Sequence, residues 1–139
     1  MYRRSNSLTI IAALIGGLLP AQLAIAAVDP ANGAQVFKKC AACHSTDAGV
    51  NKVGPSLAGV IGRAAGSVAG YAYSPAVKAA ATKGLVWTEE ALAAYLENPR
   101  KYLSETSGDA SLSNKMPFAL ADAQQRADVA AYLKSLVTP

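Results

Sequence analysis

Histidine occurs once in these 139 residues, and cysteine and methionine only twice each. A lone histidine and two cysteines cannot complete the four ligands of a structural zinc site, which usually come as two separated pairs. A thioredoxin-like redox motif needs a βαβ pattern, and none is visible. The chain has no internal repeat and no low-complexity run outside its N-terminal segment. No β signal of weight appears. Basic runs with interleaved aromatics are also absent, which leaves no basis for nucleic-acid binding.

What is scarce is concentrated. Both cysteines and the only histidine fall in Cys40-Ala41-Ala42-Cys43-His44. C-x-x-C-H is the attachment sequence of a c-type haem. Two thiols at this spacing add across two vinyl groups on one edge of the macrocycle. The histidine beside the second thioether then offers an imidazole nitrogen to the iron. A disulfide between the two thiols is the competing reading in an oxidising compartment, but it gives the adjacent histidine no role.

The N-terminus reads as an export signal. Arg3 and Arg4 form a positive start, Leu8 to Leu19 is apolar apart from Thr9, and Ala24-Ile25-Ala26 is an A-x-A cleavage site. An uncleaved membrane anchor is the rival, although the apolar run is marginal against the roughly 20 residues that span a bilayer. Residues 1–26 are therefore expected to be a cleaved secretory signal and residues 27–139 one domain in the periplasm. That domain keeps eleven basic and nine acidic residues, a net charge of +2.

The periodicity predicts about four helices. The first follows Asp29 as N-cap with Pro30 at N1, and runs into the C-x-x-C-H segment. The second follows Ser74 and Pro75 and can end at Gly84. The third follows Thr88, with Glu89 and Glu90 favouring the helix dipole, Trp87 placed to staple onto Leu92, and Pro99 as its stop. The last begins at Asp122, with Gln125 completing a capping-box pattern. Its expected apolar face is Val129, Tyr132, Leu133, Leu136 and Val137. The segments His44 to Tyr73 and Ser104 to Lys115 read as loops. So much loop leaves a thin core, which a buried haem would fill.

Met116 is the only methionine outside the expected signal, and thioether sulfur is one of the known axial ligands of haem iron. Pro117 holds the chain extended there, as suits a strap reaching inward. Spacing alone leaves three readings open: an axial ligand, an ordinary core filler, or an iron with one open position.

From about Gly33 to Leu136 the sequence resembles class I c-type cytochromes of the mitochondrial type, in particular the soluble periplasmic bacterial members with long loops. The resemblance lies in Gly33 and Phe37 with Val129 and Tyr132, in the C-x-x-C-H segment, and in Val53-Gly54-Pro55-Ser56-Leu57. It continues through Gly59 to Arg63, Gly70 to Ser74, Trp87, Tyr95 to Tyr102, and Lys115-Met116-Pro117-Phe118. It implies an all-α, single-haem fold with one covalent haem c held by Cys40 and Cys43. His44 and Met116 become the axial ligands, and the Pro55 carbonyl accepts the proximal His N–H. Arg63, Tyr73 and Trp87 become the surroundings of a haem propionate. The chain departs from short mitochondrial forms by extra residues before Gly84 and before Met116. Val77 and Asn114 also stand where polar residues and threonine are usual. Whether the longer loop loosens the Met116 bond is left open by the sequence.

Such a chain would be a monomeric one-electron carrier and not an enzyme, since both axial positions are filled. Its expected partners are membrane redox complexes: a cytochrome bc1-type donor, and an oxidase or photosynthetic reaction centre as acceptor. They would dock at a basic rim of Lys39, Lys52, Arg100 and Lys115. A haem enzyme or gas sensor with an open iron, and a thiol oxidoreductase without haem, are the other classes.

Overall fold

A computed structural model describes residues 26–137. The expected signal segment, residues 1–26, lies outside the described residues except for its last position. Five helices form: α1 Pro30–Phe37, α2 Pro75–Thr82, α3 Glu89–Glu97, α4 Pro99–Ser107 and α5 Ala123–Ser135. Among the described residues there is no strand, only an isolated bridge between Ala64 and Val86. No helix there is long and apolar enough to cross a membrane.

The expected caps are in place. The side chains of Asp29, Ser74, Thr88 and Asp122 accept the backbone N–H groups of Ala31, Val77, Ala91 and Gln125, satisfying donors that the helix leaves orphaned. The Gln125 carboxamide oxygen, however, accepts from Lys39 Nζ at 3.0 Å, so the turn after α1 is also tied to the last helix there.

α4 corrects the reading of Pro99 as only a stop. Asn98 ends α3 and caps α4, accepting the Lys101 N–H at 3.0 Å. Pro99 then sits at the first helical position, where its missing N–H costs nothing. Gly108, at φ 77°, closes the helix in the left-handed conformation. The first four residues of the segment expected to be loop, Ser104 to Ser107, are thus helical, and α4 buries Leu103 completely.

α1 packs on α5, α3 packs on both α5 and α4, and α2 packs on α4. The first crossing depends on Gly33. A Cβ at that position would run into the Asp128 carbonyl and the Tyr132 Cβ. Phe37 and Tyr132 meet beside it, ring centroids 5.5 Å apart. The apolar face of α5 is shorter than the periodicity predicts. Val129 and Leu133 are buried, while Leu136 and Val137 are exposed, because the helix ends at Ser135.

Asp128 takes an interior place instead, at 1% exposure. Its carboxylate accepts from Asp29 N–H at 2.8 Å, Asn32 Nδ2 at 2.6 Å and Gln124 Nε2 at 2.9 Å. Burial opposes the charge, but the three donors outweigh it and hold the carboxyl below its usual range. The stabilisation is therefore complete above the unfolded pKa of about 3.9 and is lost as pH falls through the lower folded value. Asp128→Asn should unfold at lower denaturant than the parent at neutral pH. The gap should narrow below about pH 4, as urea midpoints across a pH series would show.

Candidate functional site

The helices and loops surround a cavity of about 340 Å³, within the size range of small-molecule and cofactor sites. α1 ends at Phe37, and the chain continues in tight turns rather than as the helix that was expected. The N–H groups of Cys43 and His44 both bond the Cys40 carbonyl, at 3.0 and 2.9 Å. This turn brings Cys40, Cys43 and His44 to the cavity wall together. The two thiols are free, Cys43 exposed and Cys40 half-buried, so the disulfide reading is not what the structure adopts. Burial pushes the Cys40 thiol up, with Lys39 opposing.

His44 is held from one side. Its Nδ1 donates to the Pro55 carbonyl at 2.8 Å, which leaves Nε2 as the ring's acceptor. Gly54 makes room for the ring: a Cβ there would overlap the imidazole. The Lys52–Pro55 segment is fastened to the thiol turn through Gly54 N–H to the Cys43 carbonyl, 2.8 Å.

Met116 lines the same cavity from the strap after α4. The Tyr95 hydroxyl donates to its sulfur at 3.3 Å. Burial pushes the Tyr95 phenol up to about 12, against a smaller opposing pull from the Asn114 amide, so the hydroxyl keeps its proton at neutral pH. A thioether sulfur that accepts one hydrogen bond retains a second lone pair. Nothing in the sequence pointed to this contact, because Tyr95 reads equally well as a core aromatic of α3.

Arg63, Tyr73 and Trp87 also line the cavity. Trp87 is buried, packs against Tyr95 with the rings tilted and their centroids 5.0 Å apart, and pairs its backbone with Gly62 and Arg63. The Tyr73 hydroxyl accepts the Val68 N–H at 3.2 Å and keeps its own proton to donate. Arg63 donates from Nη1 to the Ala58 carbonyl (2.7 Å) and from Nη2 to the Ser56 carbonyl (3.0 Å). Its Nε is buried without a partner, and no carboxylate among the described residues pairs with it. Burial pulls the guanidinium below its usual value, yet it stays charged at neutral pH. A half-buried cation with a spare donor calls for an acceptor.

The apolar remainder comes from Leu57, Val60, Val77, Leu92, Leu96, Phe118, Val129 and Leu133. Paired thiols, one imidazole, one thioether and an orphaned guanidinium around an apolar chamber fit a macrocycle with a metal at its centre and acid groups at its edge.

Of the expected basic rim, Lys39 and Lys115 border the cavity and Lys52 reaches the Ala41 carbonyl at 2.9 Å. Arg100 does not border it. It flanks a separate depression with Asn98, Lys101, Ser104 and Ala110.

Residues 30–137 match the family model described as cytochrome c. The chain is 49% identical over 114 residues to cytochrome c2 of Rhodopseudomonas palustris, covering 78% of this chain and 98% of that one. It is 46% identical over 109 residues to cytochrome c-550 of Novispirillum itersonii, with the same coverage of each. The solved structure of cytochrome c2 from Rhodospirillum centenum superposes with a TM-score of 0.74 at 46% identity, covering 78% of this chain and 98% of that one. A match that spans the thiol turn, the imidazole clamp and the methionine strap together leaves one assignment: the chain belongs to the cytochrome c family and carries one covalent haem c.

Proposed function

We propose that this protein is a one-electron carrier, with its haem attached through Cys40 and Cys43 and its iron ligated by His44 and Met116. The observation that carries this is the state of the two donors. His44 commits Nδ1 to Pro55 and keeps Nε2 free, and Met116 presents a sulfur held by Tyr95, both on the wall of one apolar cavity. When bound, the haem iron supplies reversible ferric–ferrous exchange, and thioether ligation raises its potential relative to other ligand sets.

The chain's own residues do the rest. Pro55 fixes the imidazole orientation and strengthens it as a donor. Tyr95 withdraws electron density from the sulfur, which favours the ferrous state. The buried Leu92, Leu96, Val129 and Leu133 keep water out. Arg63, Tyr73 and Trp87 would hold a propionate of the haem, the orphaned Arg63 Nε being the donor left for it. With His44 and Met116 both ligating, no iron position would be left for a substrate, which favours a carrier over an enzyme.

Residues 1–26 direct export and are removed, leaving residues 27–139 as a monomer in the periplasm. There the protein takes electrons from a cytochrome bc1-type complex and passes them to an oxidase or a photosynthetic reaction centre. Lys39, Lys52 and Lys115, with Arg100 farther out, steer these encounters. The three lysines bond neutral acceptors, namely the Gln125 amide and the Ala41 and Ala72 carbonyls, so their charge is not cancelled by carboxylates.

Three outcomes test this reading. The holoprotein should show the weak red absorption band of iron–sulfur ligation and no carbon monoxide binding at neutral pH; Met116→Ala should lose the band and bind carbon monoxide. A parent protein that binds carbon monoxide freely would point to an open iron instead. Tyr95→Phe should keep the band but lower the midpoint potential by a few tens of millivolts, on the order of one hydrogen bond, as measured by redox titration. Lys52→Glu should slow bimolecular electron transfer to a bc1-type complex at low salt, with the difference fading as salt screens the charge and the haem spectrum unchanged.

A further inference from the structure

Met116 lies where the backbone has few ways to satisfy itself. Pro117 has no N–H and keeps Met116 out of helical geometry. Both polar backbone groups of Met116 nonetheless end on one side chain. Asn114 Nδ2 donates to the Met116 carbonyl at 3.0 Å, and Asn114 Oδ1 accepts the Met116 N–H at 3.4 Å. The residues on either side of Asn114 are fastened to one neighbouring segment: the Ser113 carbonyl accepts the Ala76 N–H at 3.3 Å, and Lys115 Nζ donates to the Ala72 carbonyl.

We propose that Asn114 is the positioning residue for Met116, its side-chain amide holding the Met116 backbone so that the sulfur is presented to the cavity before any ligand engages it. The proposal rests on Met116 being the sulfur ligand. The reasoning is conformational. A methionine side chain turns about three bonds and fixes little by itself. Tyr95 holds the sulfur at one end, so the other end must be held through the backbone. A planar group with a donor and an acceptor side by side can grip an N–H and a C=O two residues on. Asn has that group at that reach. A hydroxyl carries its donor and its acceptor on a single atom, a poorer match to two groups set apart than the two atoms of the amide, and alanine offers neither. The longer loop before Met116 is therefore tethered at its end rather than loose.

A strap held shut competes with any outside ligand for the iron, so the apparent affinity for that ligand reports the fraction of strap that is open. Imidazole is the probe. Ferric holoprotein is titrated at fixed pH and salt, following loss of the red band. Before imidazole is added, Asn114→Ala should retain the band, and it should bind imidazole about tenfold tighter than the parent, as expected for loss of one to two hydrogen bonds. Asn114→Ser should fall between the two, which also covers the case of an alanine variant that does not fold. Ser111→Ala removes a bond to Asp109 within the same loop but leaves the strap, so it should stay within about twofold of the parent. Asn114 variants that also stay within about twofold, or a Ser111→Ala affinity that rises equally, would overturn the proposal. Met116→Ala separates the two claims: if it keeps the red band, the ligand assignment fails; if it loses the band while Asn114 variants bind imidazole like the parent, only the positioning role fails.

Discussion

The site depends first on the backbone contact between the chain's two ends. Gly33 lets α1 approach the Asp128 carbonyl so closely that any side chain there would collide. That contact does more than close the fold. α1 leads directly into the Cys40–His44 turn, and α5 supplies Val129 and Leu133 to the cavity wall. Fixing one helix on the other therefore fixes the attachment turn relative to the chamber it serves. Asp128 adds direction to a contact that is otherwise only close packing, because its three donors come from the start of α1 and the first turns of α5. Burying a carboxylate is costly unless it is fully bonded, and here the bonds are placed so that only this alignment satisfies it.

Around the cavity the two proposed axial donors are held by different means. His44 belongs to a turn whose backbone bonds are local, and Pro55 and Gly54 clamp the ring from a segment bonded back to Cys43. Met116 belongs to a strap with no regular structure, held by side chains: Asn114 on its backbone, Tyr95 on its sulfur, Lys115 on Ala72. Backbone turns resist change as a unit, whereas each side-chain bond is worth only about 1 kcal/mol net. The methionine side is therefore the softer half, and its stiffness is set residue by residue.

Much of this could be read from the sequence because the signals were local. Cap residues announce themselves, and the starts at Asp29, Ser74, Thr88 and Asp122 all formed as expected. The C-x-x-C-H spacing stated its own chemistry. What escaped was whatever a residue does twice or at a distance. Asn98 and Pro99 end one helix and start another, and a rule that treats proline as a stop sees only the first half. Asp128 sits where the helical period marks a surface, yet it is buried because partners 96 and 99 residues away in sequence meet it. The Tyr95–Met116 bond spans 21 residues and has no pattern to betray it. The resemblance to class I cytochromes named Arg63, Tyr73 and Trp87 as haem surroundings, and all three line the cavity, whereas Arg100 flanks a separate depression.

The charge distribution follows from the same geometry. A net +2 over the domain is too small to steer partners if spread evenly, since screening removes interactions beyond about 8–10 Å at physiological salt. Among the described residues the ion pairs are Lys101–Glu105, Arg126–Glu97 and Lys134–Glu89, all on α3, α4 and α5, where they cancel locally. Lys39, Lys52 and Lys115 take none of those carboxylates. They rest on amide and carbonyl oxygens that hold the ammonium in place while leaving its full charge. Exposed Val53 stands among the residues that border the cavity, at 79% exposure. Under the proposed function, an apolar spot beside fixed, uncancelled cations would suit brief contact: the charges would speed encounter, and the small dry patch would add too little area to hold a partner there. A carrier that must leave as readily as it arrives needs that balance, and the neutral acceptors under the lysines supply it without an added acid.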